Sequence, residues 1–536
     1  MPGTTTTPQP APRTARSLRP AWLDDGRLQR MRQQITLVPE PHETIDVVVP
    51  FTGEVLGWIP HGTEPDVELA VRRARAAQKE WAKRPVGERA GVFLRFHDLM
   101  IERQDEVLDL VQLEAGKARR DAFEEALDTV IVSRYYAMRA ADYLRPRRRK
   151  GALPGLTLAW EYHHPVGVVG FISPWNYPLN LPVTDAVPAL LAGNTAVLRP
   201  DPQTSYTTLW ALELLREAGL PTDVLHLVTG PGAELGPPLI GRVDYVMFTG
   251  STRTGKIIAD QAAARLLGYS LELGGKNPML VLEDADVDAA AAGAVRGAFV
   301  GAGQVCVSIE RIYAHESVYE RFAEAFVGKT RQLKLGPALD YSMEMGSLTS
   351  QRQLDTVTAH VRDALSQGAR LLAGGLHRPD LGPFFYEPTI LSGVREGMLA
   401  HAEETFGPVV ALYPVRSVEE AVARANDTRY GLNASVWTRN ERRGRQVATR
   451  IRAGSVNVNE TYAATWASVD APIGGMKESG VSRRHGREGI LKYTEPQTVA
   501  VQRLLPVSAP RGVPQDAYSA FMNFGMKWLR HIPGLR

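Results

Sequence analysis

The chain has 536 residues, 44% of them hydrophobic and 23% charged, and its 62 basic and 59 acidic side chains leave a net charge of +3. These values are typical of a globular protein with two or three domains, and they give no reason to expect binding to nucleic acid. A single cysteine excludes an internal disulfide, and no segment reaches the roughly 20 apolar residues of a membrane span, so we expect a cytoplasmic protein.

The first predicted elements are helices that follow a polar tail. Residues 1–20 are rich in Thr and Pro and lack a hydrophobic period, which predicts a disordered tail. Thr63 and Asp66 have the spacing of a capping box, and apolar residues recur at helical spacing from there to Trp81. A second helix is predicted from Glu88 to Glu102.

From residue 166 onward, short apolar runs alternate with helical segments. Strands are predicted at 166–172, 195–198, 224–228 and 245–248, and helices at 182–191, 206–217, 233–240 and 254–264. This alternation predicts an α/β fold with a parallel sheet that binds ligands beyond the carboxyl ends of its strands. A second series of strands and helices, from 291 to about 469, predicts a separate catalytic domain.

The segment that begins at Gly250 looks like a phosphate-binding loop. Gly250-Ser-Thr-Arg-Thr-Gly-Lys256 follows a predicted strand and nearly completes the P-loop of nucleotide hydrolases. Ile257 stands where that loop needs Ser or Thr to hold Mg²⁺, and an aliphatic side chain cannot coordinate a hard cation. A nucleotide hydrolase is therefore disfavoured, whereas Gly250 and Ser251 at a helix start would still suit a dinucleotide pyrophosphate.

Three polar side chains are candidates for catalysis. Cys306 closes the segment Gly303-Gln-Val-Cys306; a lone cysteine is more often a small buried hydrophobe, but neighbouring glycines allow a ligand to approach closely. Glu272 ends an apolar run beside a glycine pair, and Asn176 follows the strand predicted at 166–172, where sheets of this class present active groups. Taken singly, each could be an ordinary loop residue. The twelve histidines show no paired ligand spacing, so no metal site is predicted.

Six motifs together resemble the aldehyde dehydrogenase superfamily in its order and spacing. They are Pro174-Trp-Asn176, Phe248-Thr-Gly-Ser251, Glu272-Leu-Gly-Gly-Lys276, Gly303-Gln-Val-Cys306, Glu404-Thr-Phe-Gly-Pro408 and Pro472-Ile-Gly-Gly-Met-Lys-Glu-Ser-Gly480. The resemblance covers about residues 45–500, and in detail it is closest to the second type of bacterial NADP-dependent succinate-semialdehyde dehydrogenase. It implies a parallel-sheet dinucleotide-binding domain, an α/β catalytic domain and a small β extension for oligomerisation.

The resemblance also implies a role for each motif. Cys306 would attack the aldehyde as a thiolate, and the Asn176 amide with the Cys306 backbone N–H would hold the oxyanion. Glu272 would activate the water that hydrolyses the thioester, so the product would be a free acid rather than a coenzyme A ester. The cofactor-binding residues implied are Trp175, Arg199, Pro202, Gly250, Ser251, Glu404 and Phe406.

The sequence departs from the family at the adenosine ribose, where Lys-Pro-x-Glu is common. Here the segment is Arg199-Pro200-Asp201-Pro202. Loss of the glutamate removes a carboxylate that would repel a ribose 2′-phosphate, and arginine can pair with phosphate through two hydrogen bonds. NADP is therefore expected, with NAD as the alternative.

The substrate is less closely defined by the sequence. The subgroup resemblance implies succinate semialdehyde, but the two arginines that hold the substrate carboxylate in related enzymes correspond here to Thr184 and Val300. An unpaired carboxylate in a dry tunnel is costly, so an uncharged aliphatic or aromatic aldehyde is the alternative. A catalytically silent relative is a third hypothesis, disfavoured because Cys306, Glu272 and Asn176 are all retained.

The family implies a homodimer or homotetramer. The expected division is a cofactor-binding domain at 21–300 with an oligomerisation hairpin near 143–165, a catalytic domain at 301–475, an oligomerisation strand at 476–505 that returns to the cofactor domain, and a tail at 506–536. Aromatic and aliphatic residues in that tail predict a short amphipathic helix. Docking of this helix on the protein's own oligomer is favoured over weak membrane contact.

Overall fold

The computed structural model describes residues 18–151, 157–503, 506, 508–529 and 531. Its helices are α1 Asp25–Arg32, α2 Glu64–Lys83, α3 Val86–Glu102, α4 Gln104–Ala115, α5 Arg119–Leu144, α6 Asn180–Leu191, α7 Ser205–Glu217, α8 Gly232–Ile240, α9 Thr252–Ala263, α10 Val287–Phe299, α11 Glu316–Arg331, α12 Gln351–Ser366, α13 Leu399–Ala402, α14 Val418–Asn426, α15 Glu441–Ala448, α16 Ala463–Ala467, α17 Gly486–Leu491 and α18 Gln515–Leu529. Its strands are β1 Thr44–Val48, β2 Val55–Pro60, β3 Arg147–Arg149, β4 Thr157–Pro165, β5 Val168–Ile172, β6 Thr195–Arg199, β7 Leu225–Leu227, β8 Tyr245–Thr249, β9 Gly268–Glu272, β10 Asn277–Val281, β11 Ile309–His315, β12 Arg370–Ala373, β13 Thr389–Ser392, β14 Val409–Val415, β15 Asn433–Trp437, β16 Ser455–Val458, β17 Gly480–Val481 and β18 Thr494–Gln502. Apart from residues 18–20, the tail predicted at 1–20 lies outside the described residues.

A six-stranded sheet has the order β17-β9-β8-β5-β6-β7. Its strands are parallel except for β17, which runs antiparallel to β9. Every residue of β5 is buried, and successive residues such as Val168 and Val169 belong to different apolar clusters, so helices cover both faces. The α/β alternation predicted from residue 166 is thereby confirmed, and so is the helix that starts at Thr63, where Asp66 accepts the Thr63 backbone N–H at 2.7 Å.

A seven-stranded sheet follows, with the order β12-β13-β14-β11-β10-β15-β16. It begins at Asn277, so the second series of strands and helices starts earlier than the predicted residue 291. The reason is local: β10 is a short buried strand, and such a strand has the same apolar pattern in either sheet. The chain passes from one sheet to the other within residues 273–276.

A small three-stranded sheet has the order β18-β4-β3. The hairpin predicted near 143–165 is present as the antiparallel pair of β3 and β4, and β18 pairs with β4 along its whole length. The C-terminal helix is also confirmed as α18, which buries Tyr518 and exposes Phe521, Phe524 and Trp528. In the described part of the chain, no helix has both the length and the apolar character needed to cross a bilayer.

Candidate active site

A cavity of about 550 Å³ lies beyond the carboxyl ends of β5, β8 and β9, between the six-stranded sheet and the loop of Cys306. Ligand sites of α/β sheets occur at this edge because the strand ends and the loops that follow them meet there. The structure brings eight of the ten predicted site residues to its wall: Trp175, Asn176, Gly250, Ser251, Glu272, Cys306, Glu404 and Phe406.

The backbone that leads to Cys306 turns sharply. In the short 3₁₀ turn Val300–Gly303, three successive residues have positive φ, including Ala302 at 55°. A left-handed residue with a side chain costs roughly 1–2 kcal/mol, so this turn is held by its surroundings. A Cβ on Gly303 would overlap the carbonyl of Gly407, which makes glycine necessary there.

The Cys306 loop is tied to the seven-stranded sheet by a residue that the sequence analysis missed. Asn277, the first residue of β10, donates from Nδ2 to the carbonyls of Cys306 and Ser308, each at 2.7 Å. Its Oδ1 accepts the backbone N–H of Asn433 at 3.0 Å. Both N–H groups of the Asn277 side-chain amide therefore bind the Cys306 loop, and these two bonds fix the position of Cys306. Its place directly after the Glu272–Lys276 motif was the available signal.

The Cys306 thiol is partly exposed to the cavity but otherwise surrounded by protein. Burial raises its pKa to about 12; the positive charge of Arg484 lowers it, while the carboxylates of Glu404 and Glu272 raise it. In this state the thiol is protonated at neutral pH, and the thiolate that attacks a carbonyl forms only when a base removes the proton.

Asn176 follows β5 and is buried with only 5% of its surface exposed. Its Nδ2 donates to the carbonyl of Gln304 at 3.0 Å, and the side chain of Gln304 is itself held by the Thr349 backbone N–H and the Ser347 carbonyl. The amide group of Asn176 is thus fixed in orientation, and it has a second N–H that this bond does not use. Such a group can donate to an oxygen beside Cys306.

Glu272 is the last residue of β9 and lies directly opposite Thr249 of β8. Its side chain is buried, and its Oε1 has no hydrogen-bond partner among the described residues. Burial raises the pKa of Glu272 to about 7, and the nearby cations Arg484 and Lys492 limit the rise. A carboxyl group with a pKa near neutrality and an unpaired oxygen at the cavity has the properties of a general base.

Glu404 and Phe406 occupy the opposite wall of the cavity. Glu404 accepts the Gly275 backbone N–H at 2.8 Å, and a Cβ on Gly274 would overlap its carboxylate. Burial raises the pKa of Glu404 to about 8. Phe406 packs edge to face on Trp175, with ring centres 5.5 Å apart. These residues can bind a polar ribose and a flat ring next to each other.

The loop of Glu404 and Phe406 is held from behind by a buried ion pair. The carboxylate of Glu310 accepts the backbone N–H groups of Thr405 and Phe406 at 3.0 Å and pairs with Lys276 at 2.5 Å. Both charged side chains are almost fully buried, and their pairing offsets the cost of removing them from water. The pair therefore fixes one cavity wall against the strand that follows Cys306.

Gly250 and Ser251 stand at the start of α9, as predicted. The Ser251 side chain accepts the Thr254 backbone N–H, and the first amides of the helix face the cavity edge, where they can bind an anion. Lys256 is exposed and pairs with Glu478 at 3.0 Å, so it does not reach over this helix start as a P-loop lysine would. The nucleotide hydrolase hypothesis has no support in this geometry.

Arg199 and Pro202 are not in the wall of the cavity. Arg199 ends β6 and is 6% exposed; its Nε donates to the Gly230 carbonyl at 2.9 Å, and its guanidinium lies against Gly232 at the start of α8. Burial lowers the pKa of Arg199 while the negative charge of Asp201 raises it, and among the described residues the guanidinium forms no ion pair with a carboxylate. Asp201, two positions after Arg199 in the chain, does line the cavity. Only Pro200 therefore separates Arg199 from a residue of the cavity wall.

The side of the cavity around Cys306 is apolar. Val300, one of the two positions where related enzymes have a carboxylate-binding arginine, is buried in a cluster with Tyr177, Leu181, Val305, Val307, Leu432 and Tyr462. Thr184, the other position, is buried in α6 and does not line the cavity. Lys117 and Arg296 lie over the Tyr177 and Tyr462 rings of this cluster, and each is paired with a glutamate, Lys117 with Glu125 at 2.6 Å and Arg296 with Glu124 at 3.0 Å. Among the residues that the structure describes, no group of three or more metal-ligating side chains is found.

The aldehyde dehydrogenase family model matches residues 37–499 of this chain. The chain is 50% identical over 510 residues to a Mycobacterium tuberculosis protein provisionally named succinate-semialdehyde dehydrogenase NADP(+) 2, a match that covers 95% of this chain and 98% of that protein. It is 38% identical over 459 residues to the alpha-ketoglutaric semialdehyde dehydrogenase of Bacillus subtilis, covering 84% of this chain and 92% of the relative.

The fold is also similar to solved structures. A mutant aldehyde dehydrogenase from Bacillus cereus superposes with a TM-score of 0.82 at 37% identity, covering 86% of this chain and 93% of that chain. A structure described as an E. coli NADP dependent enzyme gives a TM-score of 0.84 at 33% identity, covering 89% and 99%.

Proposed function

The chain belongs to the aldehyde dehydrogenase family, and from that premise we propose that it oxidises an aldehyde and water to a carboxylic acid with reduction of NADP⁺. The observation that carries the proposal is Glu272, a buried carboxyl group with an unpaired oxygen at the cavity that also contains Cys306. A base next to a nucleophilic thiol supports hydrolysis of a thioester.

The first step is attack of the Cys306 sulfur on the aldehyde carbon. Burial keeps the Cys306 thiol protonated near neutral pH, so its proton passes to solvent before the sulfur attacks. The carbonyl oxygen becomes negative as the C–S bond forms. The free N–H of the Asn176 amide, held in place by its bond to Gln304, and the backbone N–H of Cys306 would stabilise that charge.

NADP, when bound, would supply the acceptor for the hydride that leaves the former aldehyde carbon. The residues that fit it are the amides at Gly250 and Ser251 for the pyrophosphate, Glu404 for the ribose, and Trp175 with Phe406 for the ring. After this oxidation, Cys306 carries a thioester. Glu272 then takes a proton from water as the water oxygen attacks the thioester carbon. The Cys306 sulfur leaves and takes up that proton, which restores the thiol and releases the acid.

Arg199 supports NADP over NAD, because a buried guanidinium without a carboxylate partner can pair with a 2′-phosphate. We expect Arg199→Gln to lower kcat/KM for NADP by about 10-fold to 100-fold, the value of charge-assisted hydrogen bonds of about 1.5–3 kcal/mol. The value for NAD should change little. Steady-state kinetics with both cofactors measure this, and an equal loss for both would mean that Arg199 has only a structural role.

The names of relatives support succinate semialdehyde as the substrate. The apolar cluster around Val300 favours a second candidate, an uncharged aliphatic or aromatic aldehyde. The two cations beside the cluster, Lys117 and Arg296, are already paired with glutamates, and burying a carboxylate without a partner is costly. The test is NADPH formation with succinate semialdehyde, a medium-chain aldehyde and benzaldehyde, each with NADP and with NAD. Highest kcat/KM for succinate semialdehyde supports the first candidate, and a clear excess for an uncharged aldehyde supports the second.

The same proposal includes a cytoplasmic homodimer or homotetramer. The exposed strand β18, which extends β4 and β3 at the periphery, is a suitable surface for contact with a second copy. Light scattering after gel filtration gives the mass of the assembly, and a monomer would contradict this part of the proposal.

A further inference from the structure

One buried ion pair next to the active site is not used in the steps above. Arg484 and Asp185 form two parallel hydrogen bonds, Nε to Oδ1 at 2.9 Å and Nη2 to Oδ2 at 2.6 Å. Their side chains are 12% and 5% exposed. Bidentate pairs of this kind fix the guanidinium in one orientation, so its positive charge has a defined position.

That position is next to Glu272. Nη2 of Arg484 also donates to Oγ1 of Thr249 at 2.8 Å, and Thr249 lies directly opposite Glu272 in the parallel pair of β8 and β9. On the other side, Arg484 and Ile473 exchange backbone hydrogen bonds, and a Cβ on the next residue, Gly474, would lie 3.2 Å from Oε1 of Glu272. Arg484 is thus bonded to Thr249 on one side of Glu272 and to Ile473, the residue before Gly474, on the other.

The charges that face Glu272 are mixed in sign. Arg484, Lys492 and Arg483 favour its carboxylate form, whereas Asp185 disfavours it. Burial lowers the pKa of Lys492 to about 8, so its positive charge is lost as the pH rises above that value, whereas the charge of Arg484 remains. Burial also opposes the charge of Arg484, but Asp185 and Glu272 more than offset this and raise its pKa.

We propose that Arg484, clamped by Asp185 and Thr249, is a positioning residue whose fixed positive charge favours the carboxylate form of Glu272 in the cavity that also contains Cys306. The inference rests on the proposed function, in which Glu272 is the base. An arginine keeps its proton at all accessible pH values, so it acts through its field and not as a proton carrier. Oppositely charged neighbours within about 4–6 Å shift a carboxyl pKa by about 1–3 units.

The test is the pH dependence of steady-state turnover in Arg484→Gln. For the unchanged protein, turnover should rise with pH through about 7, since the working form of Glu272 is deprotonated. In Arg484→Gln that rise should move up by about one unit, with near-normal turnover at high pH. Arg484→Lys should restore the original profile. Arg487→Gln, a change to a partly exposed arginine near Glu161, is the matched control and should leave the profile in place.

A structural role would give another result. If Arg484 only attaches its segment to α6, Arg484→Gln should lower turnover equally at all pH values, which would overturn the proposal. Should that variant fail to fold, the double variant Asp185→Leu, Arg484→Met replaces the pair by apolar side chains, which is often neutral or stabilising for folding. The upward shift of the pH profile should persist in the double variant, because the charge of Arg484 changes the pKa of Glu272 more than the charge of Asp185 does. An unshifted profile in the double variant would also overturn the proposal.

A second measurement separates this inference from the proposed function. Alkylation of Cys306 by iodoacetamide needs neither aldehyde nor cofactor, and its rate follows the thiolate fraction. Because Arg484 lowers the pKa of Cys306, Arg484→Gln should shift the alkylation profile to higher pH. This shift would support the charge effect even if the protein oxidised no aldehyde. An alkylation profile identical to that of the unchanged protein would overturn it.

Discussion

Cys306→Ala should reduce NADPH formation at least about 10⁴-fold, because it removes the only thiol of the chain and leaves no route to a thioester. The fold should be preserved. The loop is held by hydrogen bonds from Asn277 to backbone carbonyls, which do not depend on the side chain of residue 306. Steady-state absorbance of NADPH with the best aldehyde measures the loss.

The control for this variant is cofactor affinity. The residues that fit NADP, such as Ser251, Glu404 and Trp175, do not change, so calorimetry should give a dissociation constant for NADP close to that of the unchanged protein. Residual turnover within about 100-fold of normal, with the thiol absent, would contradict a thioester mechanism.

Glu272→Gln should separate the two halves of the reaction. Loss of a general base typically costs about 10²–10⁴ in rate, and here the loss should fall on thioester hydrolysis. The amide also removes a negative charge that raises the pKa of Cys306, which makes the thiolate easier to form. We therefore expect one equivalent of NADPH per active site in a rapid phase, followed by very slow turnover.

Mass spectrometry gives an independent readout of this intermediate. After the rapid phase, the Glu272→Gln chain should carry the added mass of one acyl group, and a peptide containing Cys306 should contain it. Glu478→Gln, a change to a partly exposed carboxylate that pairs with Lys256 outside the cavity, is the matched control and should show no such adduct. Normal steady-state turnover by Glu272→Gln would contradict the assignment of the base.

The sequence predicted the strand ends and the motifs after them because these depend on short-range patterns. Buried strands such as β5 and β8 are apolar runs bounded by loops, and Asn176, Gly250 and Glu272 follow or end them directly. Cys306 and Glu404 were then predicted from the order and spacing of the motifs that resemble the family. The structure places these side chains around one cavity, as expected.

The supporting contacts could not be predicted in this way. Asp185 and Arg484 are 299 residues apart, and no local pattern indicates that two such distant charges meet. Asn277 was missed for a similar reason, since its partners lie in a loop and a strand that follow much later. The start of the second series of strands was predicted too late, at 291, because β10 carries no sign of which sheet it joins.

The short crossing between the two sheets has a consequence for protein engineering. Glu272 ends one sheet and Asn277, which holds the Cys306 loop, begins the next, with only residues 273–276 between them. A chimera with a relative that is joined within 273–276 would take the base from one parent and the anchor of the nucleophile from the other. Joins placed before β9 or after β11 would inherit both from the same parent and should give active hybrids more often.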